Sequence, residues 1–342
     1  MWTKRERFDA VMNHEVPDRP PISAWRHFTD LEHSGAETLA KAMLAWHNTY
    51  DWDYMKVNSR AVYYEEIWGA EFDYDAYNGK LSPPCISPAI EGKEDLDRII
   101  EMPPTCRPLQ EQIDAAKLLV DGLEDGAPVF YSVFAPTAIF QKLCNVDSIG
   151  RYRSASRGDL MVTLMHEEPE LVHKALKNIA NTMAAYVQEL AKTGVYGFFY
   201  AATGLSRSGY LTREEWEEFV RPYDMITLEA MGKCAPMLHA CGIHVNPQWF
   251  ADYPIKILHW PESATGNPSL DSSVDWLGKS IVPMGGCDER LFGQNKAKEI
   301  YEMSKSTQKR MKNIPFILAP DCSILPISKD EEVRAFRSSV EE

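Results

Sequence analysis

The stretch Leu238–Gly242, "LHACG", sets an imidazole and a thiol two residues apart, with a glycine behind them. On an extended strand, residues i and i+2 point to the same face, so His239 and Cys241 project together. A thiolate beside an imidazole is a donor pair that zinc binds well. The pair is half a site, and other parts of the chain must complete it. Cys322, in "LAPDCS", is the candidate third ligand. Glu262, in "LHWPES", is a candidate displaceable fourth. Three protein ligands would leave one position on a tetrahedral zinc for a substrate. Of the other thiols, Cys287 in "MGGCDER" is expected to line the pocket and Cys234 to be a core thiol. Cys85, Cys106 and Cys144 show no ligand spacing and read as packing.

Distant residues of this kind meet only if a scaffold aligns them. The chain repeats a short β-rich apolar segment followed by a helix-like one. Eight strands are expected, at residues 20–25, 54–58, 128–136, 194–202, 235–242, 256–262, 281–286 and 315–323. Helices are expected at 167–194, 212–233 and 295–313. Pro169 and Gly194 punctuate the first of these, and Thr212, with acids behind it, caps the second. Eight strands alternating with helices predict an α/β fold of the TIM (β/α)8 barrel type. A doubly wound open sheet is the rival, but no GxGxxG follows the first strand. Residues 59–127 are too long for one crossover and predict an excursion over one end of the barrel. The whole chain, 1–342, reads as one domain.

In a barrel of this type chemistry gathers at the C-terminal ends of the strands. "LHACG" ends the fifth strand and "LAPDCS" the eighth, which puts the three candidate ligands on one rim. Trp25, Arg26 and His27 end the first strand and are expected at the mouth, Arg26 to hold an anionic group. Lys56 and Asn58 end the second, Tyr200 the fourth, and Asp288 follows the seventh. Asp321, next to Cys322, is expected to support that ligand. His244 reads as a loop residue and His259 as an interior histidine.

The 342 residues include 44% apolar and 25% charged types, the mix of a globular protein with a core. A net charge of -14 argues against nucleic acid or an anionic membrane surface as the main partner. No run of about 18 apolar residues predicts a membrane span. The charged N-terminus lacks the apolar core of a secretory signal. Seven scattered cysteines then point to a reducing, cytoplasmic setting.

The opening "RERFDAVMNHEVPDRPPI" resembles the N-terminal signature of the uroporphyrinogen decarboxylase superfamily. The resemblance continues through "DWDYMKVN", "FAPTAIFQKL", "LHACG", "MGGCDE" and "APDCS", and so spans most of the chain. Within that superfamily, HxC followed far downstream by Cys marks the zinc methyltransferase branch, which includes the methylcobamide:coenzyme M methyltransferases. The separation from Cys241 to Cys322 is 81 positions, which fits that branch. The resemblance implies that His239, Cys241 and Cys322 hold zinc. It implies that Glu262 is the acidic ligand an incoming thiol displaces. It also implies a corrinoid co-substrate on a separate corrinoid protein, and a small methyl donor or acceptor. Thiol, tetrahydrofolate, methoxy and methylamine substrates stay open, as does the direction of transfer.

Decarboxylation of a tetrapyrrole is the alternative. The decarboxylases carry two arginines near the first strand, where this chain has "AWRHF" with Arg26 alone. Their catalytic aspartate lies in an "FSDIL" strand, where this chain has "DWDYMKV". They need no metal. A non-enzymatic zinc or corrinoid-binding role fits less well, because structural zinc sites are usually closed by four ligands and no CxxC occurs here.

Overall fold

The computed structural model describes residues 2–77, 81–146 and 156–341. Its strands are β1 (Met55–Val57), β2 (Glu71–Phe72), β3 (Cys85–Ser87), β4 (Val129–Phe134) and β5 (Gly197–Thr203), followed by β6 (Ala235–Ala240), β7 (Ile257–His259), β8 (Val282–Cys287) and β9 (Ile317–Pro320). Seven of them form a curled sheet in the order β1-β4-β5-β6-β7-β8-β9, every neighbour parallel. Helices between the strands cover its outer face, among them Ala36–Tyr50, Arg107–Gly122, Pro169–Lys192 and Ala297–Arg310. The expected helix at 212–233 divides into Arg213–Phe219 and Arg221–Ala230. Pro222, which has no N–H to give, sits at the break.

The first expected strand, residues 20–25, is reduced to a single parallel bridge between Ile22 and Leu318. Pro20 and Pro21 cannot donate to a ladder. What this segment offers is carbonyls. Leu318 N–H donates to Pro21 O at 2.9 Å and Asp53 N–H to Ile22 O at 3.0 Å. The segment thereby spans the gap that the sheet leaves between β9 and β1. The fold is an open, distorted TIM-type barrel with the excursion after β1 that the spacing predicts. That excursion carries the short antiparallel pair β2 and β3 before the helix Arg107–Gly122.

Two hydrophobic clusters result, as the period-two alternation of barrel strands requires. One lies between sheet and helices. The other fills the barrel and includes Trp25, Phe130, Phe199, Met237, Met284 and Ile317. The helix Lys4–Met12 plugs the end opposite the strand C-termini. It starts on a Thr3–Glu6 capping box and sends Phe8 and Val11 into the barrel cluster. Among the described residues no helix is long and apolar enough to cross a membrane.

The seam is fastened by one carboxylate. Asp53 is fully buried. It accepts from Arg7 Nη1 at 3.0 Å, Arg19 Nη1 at 2.5 Å and the backbone N–H of Ile22 at 2.9 Å. Asp53→Ala removes the partner of Arg19 and of the Ile22 N–H and one of the two carboxylates on Arg7, which keeps Asp18, and should lower stability by about 2–4 kcal/mol in urea titrations. A loss below about 1 kcal/mol, typical of a surface ion pair, would show that the seam does not depend on it.

Candidate metal centre

β5 and β6 each turn alternate residues inward. On β6, Met237 belongs to the barrel cluster and His239 lines a cleft at its mouth, while Leu238 and Ala240 join the outer core. The register carries Cys241 to the same side, just past the strand end. β9 ends at Pro320, and the chain bends there to bring Cys322 across the mouth. His239, Cys241 and Cys322 offer ligand atoms that all lie within 4.8 Å of one another.

The two sulfurs are 3.8 Å apart, far beyond a disulfide bond of about 2 Å. Metal–sulfur bonds of about 2.3 Å at a tetrahedral angle put two thiolates about 3.8 Å apart. His239 Nδ1 is buried with no hydrogen-bond partner among the described residues. A hydrogen bond from Cys241 and the neighbouring His239 hold the Cys322 thiol well below the usual thiol range, against the effect of burial. The donor set therefore fits a soft or borderline divalent ion such as zinc.

Other side chains hold these three in place. Asp321 Oδ2 accepts from the backbone N–H of Ser263 at 3.0 Å, and Oδ1 accepts from Gly286 N–H at 3.1 Å. Gly286 has φ +106°, and a Cβ there would stand 2.5 Å from Thr307 Cγ2, so glycine is required. Asp321 thus ties the turn bearing Cys322 to the ends of β7 and β8, and does not line the cleft. His259 is fully buried, its ring 4.5 Å from that of His239. Its Nε2 lies 3.0 Å from Pro320 O, a carbonyl that can only accept, so Nε2 carries the proton.

The cleft spans about 800 Å³ out to its open mouth. Trp25, Phe199, Phe134 and Tyr64 give it apolar walls. Lys56 lies on its floor. The ammonium donates to Asn58 Oδ1 at 2.7 Å and sits 4.3 Å from the Phe199 ring centre. Burial pulls it down to about 7, with Cys322 and Glu32 opposing the shift. Asn58 in turn donates to Ser323 Oγ at 3.4 Å. His27 Nδ1 meets Glu32 Oε2 at 2.9 Å. Burial disfavours a charged Glu32, yet His27 and the N–H groups of Ala61 and Phe28 keep its carboxyl below the usual range.

Of the residues singled out from sequence, the structure brings His239, Cys241, Cys322, Trp25, His27, Lys56 and Asn58 to this cleft. Arg26 turns away, donating to Pro326 O at 2.8 Å and stacking on Trp46. Alternation along the extended segment explains it, since Trp25 and His27 take the inner side. Tyr200 is likewise on the outer face of β5, where it donates to Asp224 Oδ1. Asp288 pairs with Arg290 and caps the turn after β8. Glu262 does not join the ligands. Pro261 redirects the chain after β7, and the carboxylate accepts from Leu270 N–H at 2.7 Å and Arg310 Nη2 at 2.6 Å. Cys287 is fully buried and does not line the cleft. Glu32, Ser132, Thr203 and Val62 were not legible as site residues. A signal existed for Phe199 in the alternation of "GFFYAAT", and none for Glu32.

With fold and site defined, the family follows. The family model described as uroporphyrinogen decarboxylase (URO-D) matches residues 3–342, and the chain belongs to that family. Among its curated relatives is the methylcobamide:CoM methyltransferase MtbA of Methanosarcina mazei, 21% identical over 259 residues, 72% of each chain. A solved methyltransferase from Methanosarcina mazei superposes with a TM-score of 0.76 at 16% identity, covering 100% of this chain and 99% of that one. A B12-independent methionine synthase from Shewanella sp. W3-18-1, in complex with selenomethionine, gives 0.55 at 12% identity over 94% and 92%.

The outward turn of Tyr200 has a measurable consequence. Asp224 is fully buried between Tyr200 and Tyr253, and burial raises its carboxyl from 3.8 to about 7. The folded state then holds the proton that the unfolded chain releases. The stabilisation is complete below the unfolded value and disappears as pH rises through about 7. Asp224→Asn should flatten this part of the stability–pH curve between pH 4 and 7, as followed by thermal melts. An unchanged slope would show that Asp224 is ionised in the fold.

Proposed function

We propose that the chain is a zinc-dependent methyltransferase that moves a methyl group between a corrinoid and a small substrate. The coarser reading, a corrinoid-dependent methyltransferase of the URO-D family, is supported by the likeness to the methylcobamide:CoM methyltransferase. The finer reading is carried by one observation. Two thiols at tetrahedral separation and an imidazole stand at the floor of an apolar cleft, with no fourth protein ligand among the described residues.

Zinc bound there would keep a substrate thiol ionised at neutral pH, or activate the heteroatom that carries a methyl group. His239, Cys241 and Cys322 are the proposed ligands, and Asp321 fixes the turn that carries the last of them. The arms of Glu262 are occupied by Arg310 and Leu270, which leaves the fourth position to the substrate. Trp25, Phe134 and Phe199 keep the reacting atoms dry. Lys56 and Asn58 are proposed to orient the polar end of the substrate, with His27 beside them. A corrinoid carried by a partner protein would approach through the open mouth of this cleft. Thiols, tetrahydrofolate, methoxyarenes and methylamines are the candidate partners in transfer.

Purified protein should contain about one zinc per chain by mass spectrometry. Replacing His239, Cys241 or Cys322 with Ala should remove the metal and leave the far-ultraviolet circular dichroism unchanged, because the barrel core does not include the rim. Methylcobalamin should serve as methyl donor to a thiol, or cob(I)alamin as acceptor from a methoxyarene or methylamine. Full zinc content in Cys322→Ala would overturn the ligand assignment. Release of CO2 from uroporphyrinogen, with no methyl transfer across that panel, would put decarboxylation in its place.

A further inference from the structure

Strands β5 and β6 pair residue for residue from Gly197 with Ala235 to Ala201 with His239. The ladder then slips, and Thr203 pairs with Ala240, leaving Ala202 as an extra residue on β5. At this bulge Thr203 adopts φ 53°. A β-branched side chain is a marked outlier in the left-handed region, and such conformations persist where the surroundings impose them. The twist has a direct result. The Thr203 carbonyl accepts the backbone N–H of Cys241 at 2.7 Å. The proposed ligand is thereby held from the neighbouring strand, at the point where its own strand has ended.

The side chain of Thr203 has a second property. It lines the cleft beside Cys241 and Ala201, it is 6% exposed, and Oγ1 has no hydrogen-bond partner among the described residues. A buried hydroxyl without a partner is unfavourable unless something else supplies one. The described residues offer none, and Thr203 itself lines the cleft, within reach of a group bound there.

We infer that Thr203 couples substrate to the thiolate pair: its strained backbone positions Cys241, and its hydroxyl hydrogen-bonds the polar end of the bound substrate. The inference rests on reading the cleft as the substrate site of a metal-bearing enzyme. Thr203 acts on the metal side through Cys241, and is a positioning residue there. The class of substrate it favours is one whose metal-binding atom lies a few bonds from a hydrogen-bonding group, over one that is wholly apolar.

Two readouts test this without requiring methyl transfer. The protein loaded with Co(II) reports thiol binding through its thiolate-to-cobalt absorption. Wild type should bind 2-mercaptoethanol about tenfold more tightly than ethanethiol, the worth of one hydrogen bond. Thr203→Val, which keeps the shape, should cut that ratio severalfold, to what Lys56 and Asn58 sustain by themselves, and Thr203→Ser should restore most of it. Separately, Thr203→Asn takes the left-handed conformation more readily. The metal-free Asn variant should therefore melt at a higher temperature than wild type. Equal binding of the two thiols by wild type, or full discrimination by Thr203→Val, overturns the role of the hydroxyl. An Asn variant that melts no higher than wild type overturns the strained-backbone part. A chain that takes up no cobalt fails the metal reading itself and carries this inference down with it. Cobalt uptake with no effect of Thr203 fails the inference alone.

Discussion

The buried carboxylate of Asp53 fastens the seam that the open sheet leaves between β9 and β1, and the cleft is built from residues on both sides of that seam. Pro20 and Pro21 deny residues 20–25 a regular ladder, so this segment joins β9 to β1 through carbonyls and one side chain. Arg7 and Arg19 neutralise that side chain in a place where an isolated charge would be expelled. Trp25 and His27 leave this segment directly into the cleft, Lys56 and Asn58 rise from β1 on one side, and Cys322 follows β9 on the other. His239 and Cys241 face them from β6. A displaced seam would move half of the lining relative to the other half.

Within the cleft, charge is arranged sparingly. Two thiols and an imidazole supply soft donors, apolar rings surround them, and Lys56 is the nearby cation that no described carboxylate pairs at salt-bridge distance. Arg60 also borders the cleft, but Glu66 and Glu111 hold its guanidinium. Interactions between unit charges are stronger here than in water, so a bound metal and its substrate would feel Lys56 directly. That sparing use of cations suits a small ligand better than a polycarboxylate macrocycle, each carboxylate of which would need a partner.

In the proposed site, the groups that would touch a ligand and the groups that hold them belong to different residues. Asp321, His259 and the backbone of Thr203 fix Cys322, His239 and Cys241 without being replaceable by them. Each works through backbone hydrogen bonds or a ring contact near the ends of strands, where the ladder stops supplying order. Rim positions of this kind need such supports, since ligands misplaced by even an ångström lose both metal and reactivity.

Much of this was legible in the chain. The HxC pair declared a shared face, since period two is a property of any strand, and the alternation of apolar strands with capped helices declared a barrel. Composition alone argued against nucleic acid. What the sequence left undecided was the side on which single residues at strand ends fall. Arg26 and Tyr200 sit one position from cleft residues, and one position reverses the face. Glu262 was expected to end its strand, but β7 stops at His259 and Pro261 turns the carboxylate toward Arg310, a partner 48 residues away that no local pattern announces. The first strand was visible as an apolar segment, while its reduction to a single bridge came from Pro20 and Pro21, which have no N–H to give, and from Asp53, which takes the Ile22 N–H. The closeness of Cys241 to Cys322 across 81 positions, and the strain at Thr203 beside them, were set by strand order and a register slip. Those are relations between strands, and they arise only when the sheet curls.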